Sequence, residues 1–504
     1  MGQQFSRALR AGWRPWVGSA VVAALMVGSV ATPARATAGV GTASGGRHSA
    51  SVVWSPCPQA PAAQCGTLSL PVDWARPDGP RFDLAVARRT ATDPSARIGS
   101  LVFGPGGPGD SGVQRITTGM NRFSTELQRR FDVVSFDPRG IGASNPVRCS
   151  RELLASQPSP LITSATEFAA TRAFNRRLSR NCRFHTGPLY DHLDTASLVR
   201  DLDALRAALG ERRLTFHGSS YGTLLGEQYA EQYPGRVRAL VLEGVVDHSL
   251  GTREFLDTQA VTEEASFDEF AAWCDRTPAC ALNGTDVHAV WADLLARAGR
   301  GELIDPEHPG TRLTPFTLTV LAQRAFYDPR WAPLARTLAD LNSPSESKTV
   351  AREEDLDEPT QAYSFAPFCE DWNLPVRNYR EYARHLERIA ASAPDMKYPR
   401  ALLAVSACLG STQPVNNPQH RLRVPDARKI LLTNAVYDPA SGYNWALNVT
   451  RQLGDRAVLL TYDGWGHGTY NSTPCARAAV DRYLITLVRP APGTRCPAIE
   501  PPPS

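Results

Sequence analysis

Along the chain, short apolar runs rich in β-branched residues alternate with stretches whose apolar positions recur at helical spacing. Ser100–Phe103, Val133–Phe136, Leu214–His217, Val237–Leu242, Ile430–Thr433 and Val458–Thr461 read as buried strands, several ending in Gly, Asp or Pro. Between them, Ala196–Leu209 carries apolar residues at helical intervals, and Thr223–Gln232 follows directly on a glycine. Strand, turn and helix in alternation predict an α/β fold with a mostly parallel sheet, because parallel strands are covered on both faces. From about Asp247 to Val424 the rhythm breaks into aromatic, proline-punctuated, mainly helical segments such as Phe267–Trp273 and Phe316–Ala325, with an acidic loop near Ser343–Pro359. Sheet-like segments resume afterwards, so this interval is predicted to be an inserted helical lid.

The amino terminus has another pattern. Arg7, Arg10 and Arg14 precede an apolar run from Val17 to Val30, and small residues surround Ala34–Arg35–Ala36. That is the layout of a secretory signal peptide, with cleavage expected near Ala36 or Ala38. The expected organisation is a signal peptide over 1–36, a flexible lead-in over 37–50, a first core segment over 51–246, the lid over 247–424 and a second core segment over 425–504. No later stretch reaches the about 18 uninterrupted apolar residues of a membrane span. Export into an oxidising compartment favours disulfides. The ten cysteines fall into near neighbours, Cys57/Cys65, Cys149/Cys182, Cys274/Cys280, Cys369/Cys408 and Cys475/Cys496, and these five bridges are predicted. The CxxC or HxxxH spacing that a zinc site would want is absent, and no metal or organic cofactor is expected.

With 504 residues, 42% of them hydrophobic, the chain has material for one large core or two modest ones, which excludes a disulfide-only scaffold and a disordered chain. Its 54 Lys and Arg face 50 Asp and Glu; without the four leader arginines, Arg35 included, the balance is 50 to 50. A neutral mature chain lacks the cationic excess that binds nucleic acid or an acidic membrane, so neither partner is expected.

The strongest local signal is Phe216–His217–Gly218–Ser219–Ser220–Tyr221–Gly222–Thr223, a G-x-S-x-G set between a strand and a helix. A strand that turns sharply into a helix holds its central residue in a strained conformation, and flanking glycines let neighbouring segments pass. That places Ser220 at the tip of the turn as a candidate nucleophile. A serine hydroxyl needs a base, and the base needs a group to orient it. His467, in Asp463–Gly–Trp–Gly–His467–Gly468 just after the strand-like Ala457–Tyr462, is the candidate base. Asp438, in Tyr437–Asp438–Pro439 after the strand ending at Thr433, is the candidate acid, with Asp463 as competitor. For the oxyanion, the backbone N–H groups of Tyr221 and of Gly107, in the glycine-rich turn Gly104–Gly112, are the candidate donors.

Together, Gly106–Gly107–Pro108–Gly109, Phe136–Asp137–Pro138–Arg139–Gly140–Ile141–Gly142–Ala143–Ser144, Gly218–Ser219–Ser220–Tyr221–Gly222 and Gly464–Trp465–Gly466–His467–Gly468 resemble the secreted tripeptidyl aminopeptidases of actinomycetes. These belong with the prolyl aminopeptidase branch of α/β-hydrolase serine peptidases. The resemblance spans nearly the whole mature chain and implies an α/β-hydrolase fold with Ser220, Asp438 and His467 in chain order. It departs at Gly104–Pro105, where prolyl aminopeptidases usually carry His, and after Asp438, where the Thr-Pro common in similar enzymes is missing.

An aminopeptidase must also recognise a free ammonium, which calls for carboxylates. Glu370, Asp371 and Glu243 are the candidates, with Asp247 beside them. The expected protein is a secreted, monomeric serine exopeptidase acting on peptides through an acyl-enzyme, with release of tripeptides implied by the resemblance. An esterase or amidase using the same three residues is the alternative, and a non-catalytic binding protein on the same fold is the third reading.

Overall fold

The structure, a computed structural model, describes residues 51–306, 308, 310–343, 358–425 and 430–503. The expected signal peptide, the lead-in and most of the acidic loop lie outside the described residues. The strands in chain order are β1 Ser55–Cys57, β2 Ala60–Pro71, β3 Arg81–Arg89, β4 Gly99–Gly104, β5 Phe131–Phe136, β6 Arg148–Ser150, β7 Leu214–Ser219, β8 Val237–Glu243, β9 Thr360–Ala362, β10 Ile430–Tyr437, β11 Ala457–Trp465 and β12 Arg495–Cys496. Among the described residues, ten of them form one sheet in the order β1-β2-β3-β5-β4-β7-β8-β10-β11-β12, and β6 pairs with β9 apart from it. The pairings from β1 to β3, and of β3 with β5, are antiparallel. From β5 across to β12 every pairing is parallel.

The parallel strands show why their sequences read as unbroken apolar runs. Alternate residues go to opposite faces. Val102, Val134, Phe136, Leu214, Phe216, Leu240, Leu242, Ile430 and Leu432 pack into one core layer. Leu101, Phe103, Phe131, Val133, Ala239, Val241, Leu431 and Ala435 pack into the other. A one-residue slip of any of these strands would exchange the two sets, so the register is strongly fixed.

Between β8 and β10 the chain leaves the sheet for a run of helices, Thr252–Arg276, Val287–Gly299, Pro315–Tyr327, Trp331–Asn342, Phe368–Asp371, Tyr379–Ser392 and Ala401–Cys408. Phe270, Trp273, Trp291 and Trp331 gather in a buried cluster that also takes in Trp465 at the end of β11, so the helices are fastened to the carboxyl end of the sheet. The Trp465 indole N–H donates to Glu269 at 3.0 Å across that junction.

The five predicted disulfides are all present, Cys57–Cys65, Cys149–Cys182, Cys274–Cys280, Cys369–Cys408 and Cys475–Cys496. No helix among the described residues is long and apolar enough to cross a membrane.

Candidate active site

The candidate residues leave the sheet at the carboxyl ends of parallel strands, where open α/β sheets present their ligand sites. Gly107 follows β4, Ser220 follows β7, Asp438 follows β10 and His467 follows β11. Ser220 has φ 55°, one of three positive values on non-glycine residues among those described. The surroundings enforce this: Ser220 N–H donates to the Glu243 carbonyl at 2.8 Å, and its own carbonyl accepts from Thr223 N–H at 2.7 Å. A Cβ on Gly222 would collide with the carbonyl of Gly104, and one on Gly218 with the carbonyl of Gly222. The two outer glycines of the motif are therefore dictated by close backbone approach.

Asp438 is completely buried, and both its carboxylate oxygens lie 2.9 Å from His467 Nδ1. Oδ1 also accepts from the backbone N–H groups of Ala440 at 2.9 Å and Ser441 at 3.0 Å, which locks the acid in its turn. Burial works to lower the His467 pKa, but the charge and hydrogen bond of Asp438, aided by the charge of Glu243, outweigh it, and the net direction is upward. The imidazole rests over Gly244, where an added Cβ would come within 3.0 Å of Cε1. Ser220 and His467 thus meet the same turn, Glu243–Gly244. Asp463, the competing acid, faces Arg495 instead.

Two further elements hold the histidine loop. Helix Pro315–Tyr327 begins with proline at its first turn and a Thr314/Thr317 capping box, and it ends where the Tyr327 carbonyl accepts from His467 N–H at 2.7 Å. The Tyr327 ring meets the imidazole edge-on at 5.0 Å. From below, Glu243 Oε1 accepts from the N–H groups of Thr469 and Tyr470, both at 2.7 Å. Its Oε2 meets His217 Nε2 at 2.9 Å and Arg122 at 3.1 Å, and Arg122 also donates to Ser219 Oγ at 3.0 Å. Burial alone would raise the Glu243 pKa; the His217 hydrogen bond, the charges of Arg122 and His217 and the Tyr470 amide reverse it and hold the carboxyl below the usual range.

Ser220, Gly107 and Tyr221 border one cavity of about 110 Å³, walled by Phe255, Phe365, Phe368, Trp372 and Trp445, with Gln259, Gln323, Tyr327 and Arg400 on a polar side. Arg400 is the only charged side chain among the residues that line it.

The three carboxyls expected to meet a substrate amine are placed otherwise, and none of them lines this cavity. Glu370 accepts from Leu193 N–H at 2.9 Å and from Asn416 and Gln413 at 3.1 Å each. Asp371 accepts from Thr195 N–H and Oγ1 at 2.7 Å, from Tyr221 OH at 2.6 Å and from Asn417 at 2.8 Å. Burial pushes Asp371 up to about 6 against these bonds. Their oxygens are occupied by protein donors, as are those of Glu243: Asp371 braces Tyr221, Glu243 the histidine loop, and Glu370 the segments around Leu193 and Asn416. Asp247 is likewise bound to Ser249, Asn448 and Gln452.

Sequence reading missed Gln259, Glu263, Gln323, Tyr327 and Arg122. The first two had a usable signal, since Phe255, Gln259, Glu263 and Phe267 stand at i+4 intervals and share one helix face. Elsewhere, Asp268, His288 and Asp395 bring ligand-type atoms within 4.8 Å of one another, in an exposed cluster where His288 and Asp395 already pair at 2.7 Å.

Residues 99–317 match the family model described as alpha/beta hydrolase fold, and residues 397–496 match that described as TAP-like protein. The chain is 30% identical over 519 positions to serine protease Hip1 of Mycobacterium tuberculosis, covering 95% of this chain and 97% of that protein. It is 29% identical to tripeptidyl aminopeptidase of Streptomyces lividans, over 93% of this chain and 94% of the relative. Carboxylesterase B of M. tuberculosis is 31% identical, with 86% of each chain covered. Similarity of this extent, joined to a serine-bearing turn and an Asp–His pair on a parallel sheet, identifies the chain as a serine hydrolase that belongs to the α/β-hydrolase family of the tripeptidyl aminopeptidases and Hip1.

Proposed function

We propose that the protein is a secreted serine exopeptidase that releases short peptides, three residues long, from free amino termini. The observation that carries this reading is the Asp438–His467 pair, 2.9 Å apart, whose imidazole meets the same Glu243–Gly244 turn as the strained Ser220, with Ser220 on a small cavity lined also by Gly107 and Tyr221. His467 Nε2 takes the proton of Ser220 Oγ as Oγ attacks the scissile carbonyl carbon. The oxyanion that forms is met by the N–H groups of Gly107 and Tyr221, helped by the positive end of helix Tyr221–Gln232. Collapse breaks the C–N bond, and His467 gives its proton to the leaving amine. Water, deprotonated in turn by His467, then attacks the ester, and Ser220 is restored. Asp438 fixes the imidazole tautomer and stabilises its charged form.

The helices between β8 and β10 act as a lid that limits access to chain ends. The name of the Streptomyces relatives supports three-residue release, and five disulfides with the leader-like amino terminus support export. One observation favours a second reading, an esterase of apolar acyl groups: the cavity wall is mostly aromatic, and a relative is named carboxylesterase B.

Hydrolysis of a fluorogenic tripeptide amide with a free amino terminus, beside its acetylated counterpart and with Ser220→Ala as blank, separates the two. Cleavage of the free peptide alone, lost in the variant, is the expected result. Equal cleavage of both peptides would overturn the exopeptidase reading. Cleavage of neither, with rapid turnover of an apolar ester, would establish the esterase.

A further inference from the structure

The cavity on which Ser220 opens has two kinds of wall. One is aromatic, built by Phe255, Phe368, Trp372 and Trp445; the other carries Gln259, Gln323, Tyr327 and Arg400. On the polar side the amide donors are committed. Gln259 Nε2 donates to the Pro439 carbonyl at 2.9 Å and to Glu263 Oε1 at 3.4 Å, and Gln323 Nε2 donates to the same two oxygens at 3.4 and 2.7 Å. Arg400 is different. Among the described residues its guanidinium makes one hydrogen bond, from Nη1 to Tyr327 OH at 2.8 Å, and its other N–H donors are left over.

Its charge is left over as well. Elsewhere in the helical region Arg253, Arg276, Arg300, Arg377 and Arg388 each meet a carboxylate at 2.5–3.3 Å. The Arg400 guanidinium forms no ion pair with a carboxylate among the described residues. Asp438 is engaged with His467, and Glu263 takes the Arg400 backbone N–H at 3.1 Å rather than the guanidinium. Burial also raises the Glu263 pKa well above the usual range, so that acid adds no counter-charge. The place of the cation is nonetheless fixed. Tyr327 OH holds Nη1, the guanidinium carbon lies 6.0 Å from the centre of the Tyr327 ring, and the Tyr327 carbonyl accepts from His467 N–H at 2.7 Å. One residue thus sets the cation and the proposed base relative to each other.

We infer that Arg400 is the seat for a carboxylate on the acyl part of the substrate, so that the enzyme selects an acidic side chain on the residue whose carbonyl Ser220 attacks. The inference rests on the exopeptidase reading and names the substrates that reading leaves open. Ser220 and Arg400 line one cavity, so the side chain next to the attacked carbonyl is the one that enters it. A glutamate side chain matches both walls. Its methylenes lie against the aromatic rings, and its carboxylate meets the guanidinium fork, which pairs such a group through two parallel N–H bonds. A lysine in the same place would set one cation against another. An apolar chain would strip water from the guanidinium without returning an acceptor.

The test measures kcat/KM of the full-length enzyme on fluorogenic tripeptide amides with free amino termini, alanyl-alanyl in front of Glu, Gln or Lys at the cleaved bond, with Glu moved to the first or second position in two further peptides. Fluorophosphonate labelling of Ser220 marks an intact centre in each variant. Wild type should favour Glu over the isosteric Gln at the cleaved bond by about 10- to 100-fold, the scale of hydrogen bonds to a charged group, with Lys last. Arg400→Met should erase the Glu advantage. Arg400→Lys should keep part of it, because the charge stays and the fork goes, and Arg400→Glu should bring Lys ahead of Glu. Should a variant fail to label, the wild-type ratio itself decides: Arg400 is exposed, so the Glu advantage should shrink as salt is raised. Equal turnover of Glu and Gln by wild type, or a Glu advantage that survives Arg400→Met or added salt, would overturn the seat and leave the exopeptidase reading intact. An acid preference confined to the first or second position would overturn its placement at the attacked carbonyl. Turnover of none of the free peptides, with rapid turnover of an apolar ester, would overturn the exopeptidase reading and the seat with it.

Discussion

Glu243 at the end of β8 and Glu263 on the first helix after it are almost equally hidden, 2% and 0% exposed, yet they sit in opposite electrostatic settings. Around Glu243, two backbone N–H groups, His217 and Arg122 supply donors to both oxygens, and together they overcome burial. Around Glu263 the donors all converge on one oxygen, and burial wins. Depth therefore does not set the charge of a buried acid; the donors facing it do. On the sheet side the network is complete and holds the histidine loop still. On the helical side one carboxyl oxygen is left without a partner.

The largest effect should come from the complete side. Asp438→Asn keeps the shape of the pair but offers Nδ1 the wrong tautomeric partner, and kcat should fall by about 10⁴-fold. The pH profile sharpens the claim. As the proposed base, His467 must be neutral, and its pKa is raised above the ordinary 6.5, so activity should be lost as pH falls through that raised value. With the charge of Asp438 gone, the acid limb of kcat/KM should move to lower pH. A limb that stays in place would mean that another group holds the imidazole up.

Glu243→Ala comes next. It strands Arg122 and His217 in a buried space and removes the acceptor for Thr469 and Tyr470. Removing one partner of a buried ion pair costs about 3–5 kcal/mol, to be read from urea unfolding. Because the folded pKa of this acid is depressed, its contribution is fully present above the ordinary value of 4.5 and fades as pH falls from there through the folded value. The stability gap between wild type and variant should therefore hold from pH 7 down to about 5 and close only in stronger acid. A gap that widened in acid would reverse the sign argued for Glu243.

These contrasts also mark how far the sequence could be read. The sheet was legible because Val102, Phe216 and Leu432 on one face and Leu101, Val241 and Leu431 on the other obey a two-residue period within runs too apolar for solvent. The turn at Ser220 and the Asp438–His467 pairing followed from local motifs and chain order, since each depends on a few neighbouring residues. Acids were another matter. Glu370, Asp371 and Glu243 invited a binding role by type and position, but whether an oxygen is free depends on donors far along the chain, such as Asn416, 46 residues from Glu370, and Thr469, 226 residues from Glu243. Glu263 was hidden by its company, because Glu263 and Glu264 together read as a solvated helix face. Only the row Phe255, Gln259, Glu263, Phe267, all of it buried, betrays an acid on the apolar side.

The smallest effect, and the one that most directly opposes the two glutamates, is the stability of Glu263→Gln. An acid whose folded pKa is raised is a burden on the fold at any pH where the unfolded chain would ionise it. That burden starts near the ordinary 4.5 and grows as pH rises toward the folded value. Glutamine keeps the hydrogen bonds at Oε1 and has no proton to lose, so the variant should match wild type at pH 4.5 and exceed it at pH 8. Urea midpoints at the two pH values read this directly. Equal stability at pH 8 would mean that Glu263 is already ionised in the empty enzyme and that some donor completes its shell.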